Sequence, residues 1–202
     1  MARAYESSVR AQQARQTRQK LVSAGQELFL SQGWVPTTMT QVAAAAGVGR
    51  PTTYLHFATK LDLLTACIDA SLSAVPVRER PDYQAMGSGP LSQRAATAAR
   101  WLREAYQRSA AIQVVLDQAA VTTPQAAHVR AQMESRRHDE FANACRLVLG
   151  QPFPPASLVD EVWALGSRGM WFMVADRGWS PEEWEAWFTS AIMHAISRYD
   201  LG

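Results

Sequence analysis

Thr40-Gln-Val-Ala-Ala-Ala-Ala-Gly-Val-Gly-Arg-Pro-Thr-Thr-Tyr-Leu-His-Phe57 spells a short helix, a tight turn and a second short helix. Val42, Ala43 and Ala46 supply the small apolar face of the first helix. Gly47 suits a helix C-terminus, where the backbone must adopt positive φ. Val48 then plugs between the two helices, and Gly49 precedes the next helix start. Small residues at 43–46 let two short helices cross closely, as a helix-turn-helix requires. The second helix is expected to expose Arg50, Thr52, Thr53, Tyr54 and His56, all able to donate hydrogen bonds to phosphates or base edges. No acidic residue occurs between Glu27 and Asp62, so nothing on this surface repels a polyanion.

Upstream, Leu21, Ala24, Gly25, Leu28 and Phe29 fall on one stripe of a helix that Gly33 ends, and helical propensity extends back through Arg10–Arg15. Thr38-Met-Thr-Gln41 is a capping-box pattern that opens the helix running to about Ala46. Thr59-Lys-Leu-Asp62 caps a long helix through Leu63, Leu64, Cys67, Ile68 and Leu72. Residues 76–90, with Pro76, Pro81, Gly87, Gly89 and Pro90, read as a loop. Helices are then expected over about 91–108, 110–121, 124–149 and 156–177. Ser180-Pro-Glu-Glu183 caps the last one. No segment alternates with period two, so the expected fold class is all-α, with about nine helices. Its organisation is a three-helix helix-turn-helix head over residues 1–62 and a larger helical domain over 63–202.

Charge separates the same two regions. Residues 1–60 hold seven basic side chains against two acidic ones, a net of +5, while the whole chain carries only +2. Basic charge concentrated in one segment is what a phosphate-binding surface requires. No apolar run approaches the roughly 20 residues of a membrane span, and the N-terminus lacks the apolar segment of a secretory signal. Cys67 and Cys145 are far apart and not in metal spacing, which points to two reduced, buried thiols and a cytoplasmic location. No metal site or cofactor is expected. His56 reads as a phosphate or structural hydrogen-bond donor, because no second ligand lies at helical spacing from it.

The run from about Thr17 to Leu64 resembles the DNA-binding head of the TetR (tetracycline repressor) family. The matching features are Glu27-Leu-Phe29 followed by Gly33 and Trp34, then Thr37-Thr38, Ala46-Gly-Val48, Tyr54-x-His-Phe57, and Lys60 before Leu63-Leu64. The resemblance covers about a quarter of the chain, and this many spaced matches are highly specific. It implies that Thr38 and Thr40 face the DNA backbone at the start of the second helix, with Arg18 approaching from the first. It implies that Arg50, Pro51 and Thr52 read bases at the entry of the recognition helix. Tyr54, His56 and Lys60 would meet phosphates. Four positions depart from the family pattern. Gly49 stands where a capping Ser is common, Pro51 where Gly is frequent, Thr53 where a core Leu is usual, and Leu55 where the residue is often polar. These departures leave open which of residues 51–55 face DNA.

Residues 63–202 carry no phosphate loop, dinucleotide Gly pattern or nucleophile elbow, so catalysis is not expected. Their aromatic content stands out. Trp184, Phe188, Ala191, Ile192, Ala195 and Tyr199 form one stripe, and Ala164, Gly166, Ser167 and Gly169 give the preceding helix a surface for close approach. The pattern favours association, and the resemblance implies a two-fold homodimer through these two helices. The expected interface is Ala164, Gly169, Trp184, Phe188, Ile192, Ala195 and Tyr199. Trp101, Tyr106, Met133, Phe141 and Trp171 are the candidate lining of a pocket for an uncharged aromatic or lipophilic effector. The implied function is a repressor released from a palindromic double-stranded DNA operator by a small molecule, with the helix beginning at Lys60 as the lever. The alternative is a regulator without an effector, controlled by abundance or a protein partner.

Overall fold

The computed structural model describes residues 2–72 and 77–199, with side chains from Arg10 onward. Among the described residues the chain is helical and contains no strand. It divides into two compact units. The first comprises the chain up to Leu72 together with Ala111–His128, and the second comprises the rest. No helix among the described residues is long and apolar enough to cross a membrane.

The first unit is built on α1 (Ala2–Gln32), α2 (Met39–Ala45), α3 (Arg50–His56) and α4 (Lys60–Leu72). Leu21, Ala24 and Phe29 of the predicted α1 stripe are buried together with Val22, and Leu63, Leu64, Cys67 and Ile68 of the α4 stripe with Ala66, while Leu28 is half-buried and Leu72 exposed. Gly25 marks where α1 and α4 meet, since a Cβ there would stand 3.1 Å from the Leu63 side chain. The local start signals all operate. Thr38 and Gln41 form a reciprocal capping box at α2. At α4 the Asp62 N–H donates to the Thr59 hydroxyl at 3.0 Å, while the Thr59 N–H donates to Asp62 Oδ2 at 2.9 Å. Ala111–Thr122 of α6 (Leu91–Thr122) and Pro124–His128 of α7 (Pro124–Leu149) also belong to this unit. They contribute Ile112, Val115, Leu116, Ala119 and Ala126 as buried side chains.

This assignment corrects the expected lever. α4 lies in the first unit throughout, because its apolar stripe is covered there. It is α6 and α7 whose residues are divided between the two units.

The second unit departs from sequence expectation at three places. Residues 77–90 are not a plain loop; Pro76 lies outside the described residues. They hold the four-residue α5 (Pro81–Gln84) between two 3₁₀ turns, and Tyr83 and Met86 are each 1% exposed. The Tyr83 hydroxyl donates to the Glu140 carbonyl and accepts from Asn143 Nδ2, each at 3.0 Å. A buried polar group of this kind must find partners, and they come from a segment more than fifty residues away. Second, α6 is one continuous helix where two were expected. Ser109, at the expected break, turns its hydroxyl back onto the Ala105 carbonyl at 2.7 Å and stays in register. Third, the expected helix over 156–177 is two, α8 (Ala156–Leu165) and α9 (Arg168–Ala175), because Ser167 caps a new helix through the Met170 N–H.

The final helix, α10 (Pro181–Ser197), begins at a Ser180–Glu183 capping box as its sequence predicts. Its aromatic stripe, however, is used inside the chain. Trp184, Phe188, Ile192 and Ala195 are all 5% exposed or less, and they join Leu158, Val159 and Val162 of α8, Tyr106 of α6 and Phe141 of α7 in one core. Trp184 stacks on Phe188 at 4.9 Å and meets Tyr106 at 6.0 Å. These four residues are therefore removed from the expected dimer interface, since a side chain already enclosed by its own subunit has no surface left for another. Of that set, Ala164 and Gly169 are exposed and Tyr199 is half-buried. Gly166 does allow close approach, but within this core: a Cβ there would lie 2.8 Å from the rings of Phe141 and Phe188.

Candidate nucleic-acid interface

The turn between α2 and α3 closes as its sequence demands. The Val48 N–H donates to the Ala43 carbonyl at 2.9 Å and the Gly47 N–H to the Ala44 carbonyl at 3.1 Å. With Gly47 at φ +63°, this is the paired-bond ending that satisfies the last carbonyls of a helix. Val42 and Ala43 are buried beneath it, and Val48 is half-buried.

α3 then starts at Gly49, which offers no side-chain cap, with Pro51 in its first turn. The Thr53 hydroxyl donates to the Gly49 carbonyl at 3.2 Å, which places Thr53 on the inner face, fully buried. Thr53 was expected among the exposed donors and is corrected here; its methyl occupies the position of a core side chain while its hydroxyl is satisfied locally. The remaining residues resolve into an outer surface. Arg50, Pro51, Thr52, Tyr54 and Leu55 are exposed and His56 is half-buried. Leu55 is 85% exposed.

The flanking residues divide between surface and scaffold. Thr40 is exposed on α2. Thr38 is exposed too, but its hydroxyl is engaged in the cap, accepting from the Gln41 N–H at 3.2 Å and donating to Gln41 Oε1 at 2.9 Å. Arg18 lies with its guanidinium 4.8 Å from the Phe57 ring centre, on the exposed side of α1.

Lys60 has a structural role in the head. Its ammonium donates to the Trp34 carbonyl at 2.7 Å and the Thr37 carbonyl at 2.8 Å, and it sits 4.0 Å from the Trp34 ring centre. Partial burial depresses its pKa from the ordinary lysine value. With two of its three donors engaged in this way, Lys60 fastens the α1–α2 connection to the start of α4. That connection has further ties. The buried Thr37 hydroxyl donates to the Gly33 carbonyl at 2.7 Å, the Trp34 N–H donates to Gln118 Oε1 at 3.0 Å, and Trp34 stacks on Phe29. Sequence reasoning did not anticipate Gln118, because nothing local in α6 signals a partner 84 residues away.

In the second unit Tyr106 and Phe141 lie in the core, and Trp101 and Trp171 pack against it. Tyr106 and Trp171 approach at 5.8 Å, and Trp171 meets Trp184 at 5.2 Å. The Tyr106 hydroxyl donates to the Gly166 carbonyl at 2.5 Å. Phe141 lies beneath Arg137, whose guanidinium is held between the Phe141 and Trp163 rings at 5.0 and 4.9 Å. Trp101 packs instead against Tyr83, edge to face at 5.2 Å. Met133 is half-buried on α7. The indole N–H groups of Trp101, Trp163 and Trp184 are buried without a hydrogen-bond acceptor among the described residues.

Comparison with known proteins converges on the first unit. Residues 21–67 match the bacterial regulatory proteins of the tetR family. Over 72 residues the chain is 36% identical to the HTH-type transcriptional regulator TtgW of Pseudomonas putida, an uncharacterised protein, with 36% of this chain and 54% of that one covered. Over 82 residues it is 39% identical to the HTH-type transcriptional regulator AcrR of Shigella flexneri, covering 40% and 38%. The alignment thus spans about half, or less, of the curated relatives it matches. Beyond the head the likeness is one of fold. A solved TetR-like transcriptional regulator from Rhodococcus sp. RHA1 superposes with a TM-score of 0.61 at 17% identity, covering 90% of this chain and 96% of that one.

Proposed function

Residues 21–67 match the tetR family of bacterial regulatory proteins, and on that premise we propose that the protein is a DNA-binding transcriptional regulator rather than an enzyme. The observation that carries this reading is the outer surface of α3. Arg50, Thr52 and Tyr54 are exposed on it, and no acid occurs from residue 28 to residue 61. α3 enters the major groove, Arg50 and Thr52 reach base edges, and Tyr54, His56, Thr40 and Arg18 hold the phosphates. Thr38 positions α2 through its cap.

In the full proposal the protein is a cytoplasmic repressor that binds a palindromic operator as a two-fold dimer. Pairing uses the outward faces of α8 and α10, where Ala164, Ala186 and Ser190 are exposed, small enough for helices to approach closely. A small lipophilic or aromatic effector, bound in the second unit near Tyr106 and Trp171, lowers DNA affinity by preferring the state that does not bind DNA. One observation favours the alternative of a regulator without an effector. Tyr106 and Phe141 are already enclosed in the core, which leaves them little surface to offer a ligand.

The test is binding of the purified protein to its own upstream DNA and to a random fragment, at two salt concentrations, by fluorescence anisotropy. Selective binding that weakens steeply with salt is expected. Failure to bind either fragment at low salt would refute the reading.

A further inference from the structure

We infer that the protein recognises the C5-methyl group of a thymine in each half of its DNA site, and that Leu55 is the residue that reads it. The inference rests on the DNA-binding reading above and specifies what its recognition helix selects. Successive residues of a helix are 100° apart, so positions 51 and 55 lie opposite position 53. Thr53 is fully buried, so Pro51 and Leu55 form the ridge of α3 that projects farthest outward. Both are exposed, and Leu55 is 85% exposed. Neither can donate a side-chain hydrogen bond. Arg50, Thr52 and Tyr54 flank the ridge with donors, so the helix presents an apolar crest between polar slopes.

The occupant of such a crest follows from charge and chemistry. The segment carries a net of +5 over residues 1–60 with no acid from 28 to 61, which fits the phosphate-lined walls of a duplex. On the floor of the major groove the thymine methyl is the apolar group that distinguishes one base from the others. A leucine opposite cytosine, adenine or guanine would cover a hydrogen-bonding edge and leave it unpaired. Opposite thymine it covers a methyl and releases water from two apolar surfaces.

The experiment uses the full-length protein and a pool of random-sequence duplexes, from which bound molecules are enriched and sequenced. Each thymine of the enriched site is then replaced singly by deoxyuridine, which removes only the methyl group. Wild-type protein is expected to lose about fourfold in affinity at one thymine per half-site, the worth of one buried methyl-sized contact. Leu55→Ala, expected to fold normally because the residue is exposed, should bind the thymine and uracil duplexes equally while keeping its salt dependence; circular dichroism checks its fold. Two results would overturn the inference: a wild-type protein indifferent to every uracil replacement, or an L55A protein that keeps the wild-type sensitivity. Salt-dependent binding with no enriched sequence would also overturn it while leaving DNA binding intact. Absence of binding to any duplex would remove the regulator reading, and this inference with it.

Discussion

The two units use their buried polar and aromatic groups in opposite ways. In the first, local hydrogen bonds set the backbone of the helix-turn-helix, Thr53 on Gly49, Thr37 on Gly33 and Gln41 on Thr38, while Lys60 and Gln118 tie its more distant segments. The outer face of α3 is thereby left free of obligations and available to a partner. In the second, long-range aromatic contacts draw α6, α7, α8, α9 and α10 together, and the side chains most suggestive of an interface are consumed inside. The lesson is that conspicuous side chains mark function only where the local backbone does not need them. A large apolar stripe is recruited to the core first, because burying it gains most.

Four substitutions and one condition test this contrast, from the largest effect to the smallest. Phe188→Ala removes a ring from a filled core and should cost about 3–5 kcal/mol in urea unfolding. If it merely dissociated a dimer and left subunit stability unchanged, the inward assignment of the α10 stripe would be wrong.

Arg50 and Lys60 make a paired comparison inside the head. Arg50→Ala should weaken operator binding roughly ten- to hundredfold with stability within about 0.5 kcal/mol of wild type. Lys60→Met should instead cost about 1–2 kcal/mol of stability, because the Trp34 and Thr37 carbonyls lose a charged donor. Equal losses of DNA affinity in both, with K60M fully stable, would place Lys60 on the binding surface instead.

Gly47→Ala probes the turn alone. A Cβ there meets no neighbour within 4 Å, so the cost comes from the backbone at φ +63°, about 1 kcal/mol by thermal or urea denaturation. No cost would mean that the turn relaxes.

The smallest effect near neutral pH belongs to the buried acids. Burial pushes the thiols of Cys67 and Cys145 and the hydroxyls of Tyr83 and Tyr106 up to about 12. In the unfolded chain these groups lose their protons near 8.5 and 10. The stability they contribute is therefore fully present below about pH 8.5 and is lost as pH rises toward 12. An aromatic disulfide reagent at pH 8 should label neither cysteine in the native protein and both in urea. Rapid native labelling would contradict their burial.

Much of the head was legible in advance because its signals are local. A threonine three residues before a glutamine or aspartate, a glycine at a helix end and a proline in a first turn act through bonds that close within a few residues. The exposed set Arg50, Thr52 and Tyr54 follows from such signals, with helical period supplying the rest. Thr53 was misjudged because a hydroxyl suggests solvent, and its local bond to Gly49 is visible only once the helix is built. The break at Gly166–Ser167 and the continuity through Ser109 failed for a related reason. Serine both caps helices and bonds back within them, and the choice depends on what surrounds it.

By itself the sequence determined the all-α class, the helix-turn-helix and its acid-free basic surface, since each is encoded in neighbouring residues or in a period along one helix. Only the tertiary structure decided what each buried face is buried against. It assigned Trp184, Phe188 and Ile192 to their own subunit's core, Lys60 to two carbonyls, Tyr83 to Asn143, and Ala111–His128 to the first unit. Periodicity reports that a stripe must leave water. It carries no information about which of several apolar surfaces, near or far in the chain, will cover it, and that choice is settled by the packing of all of them at once.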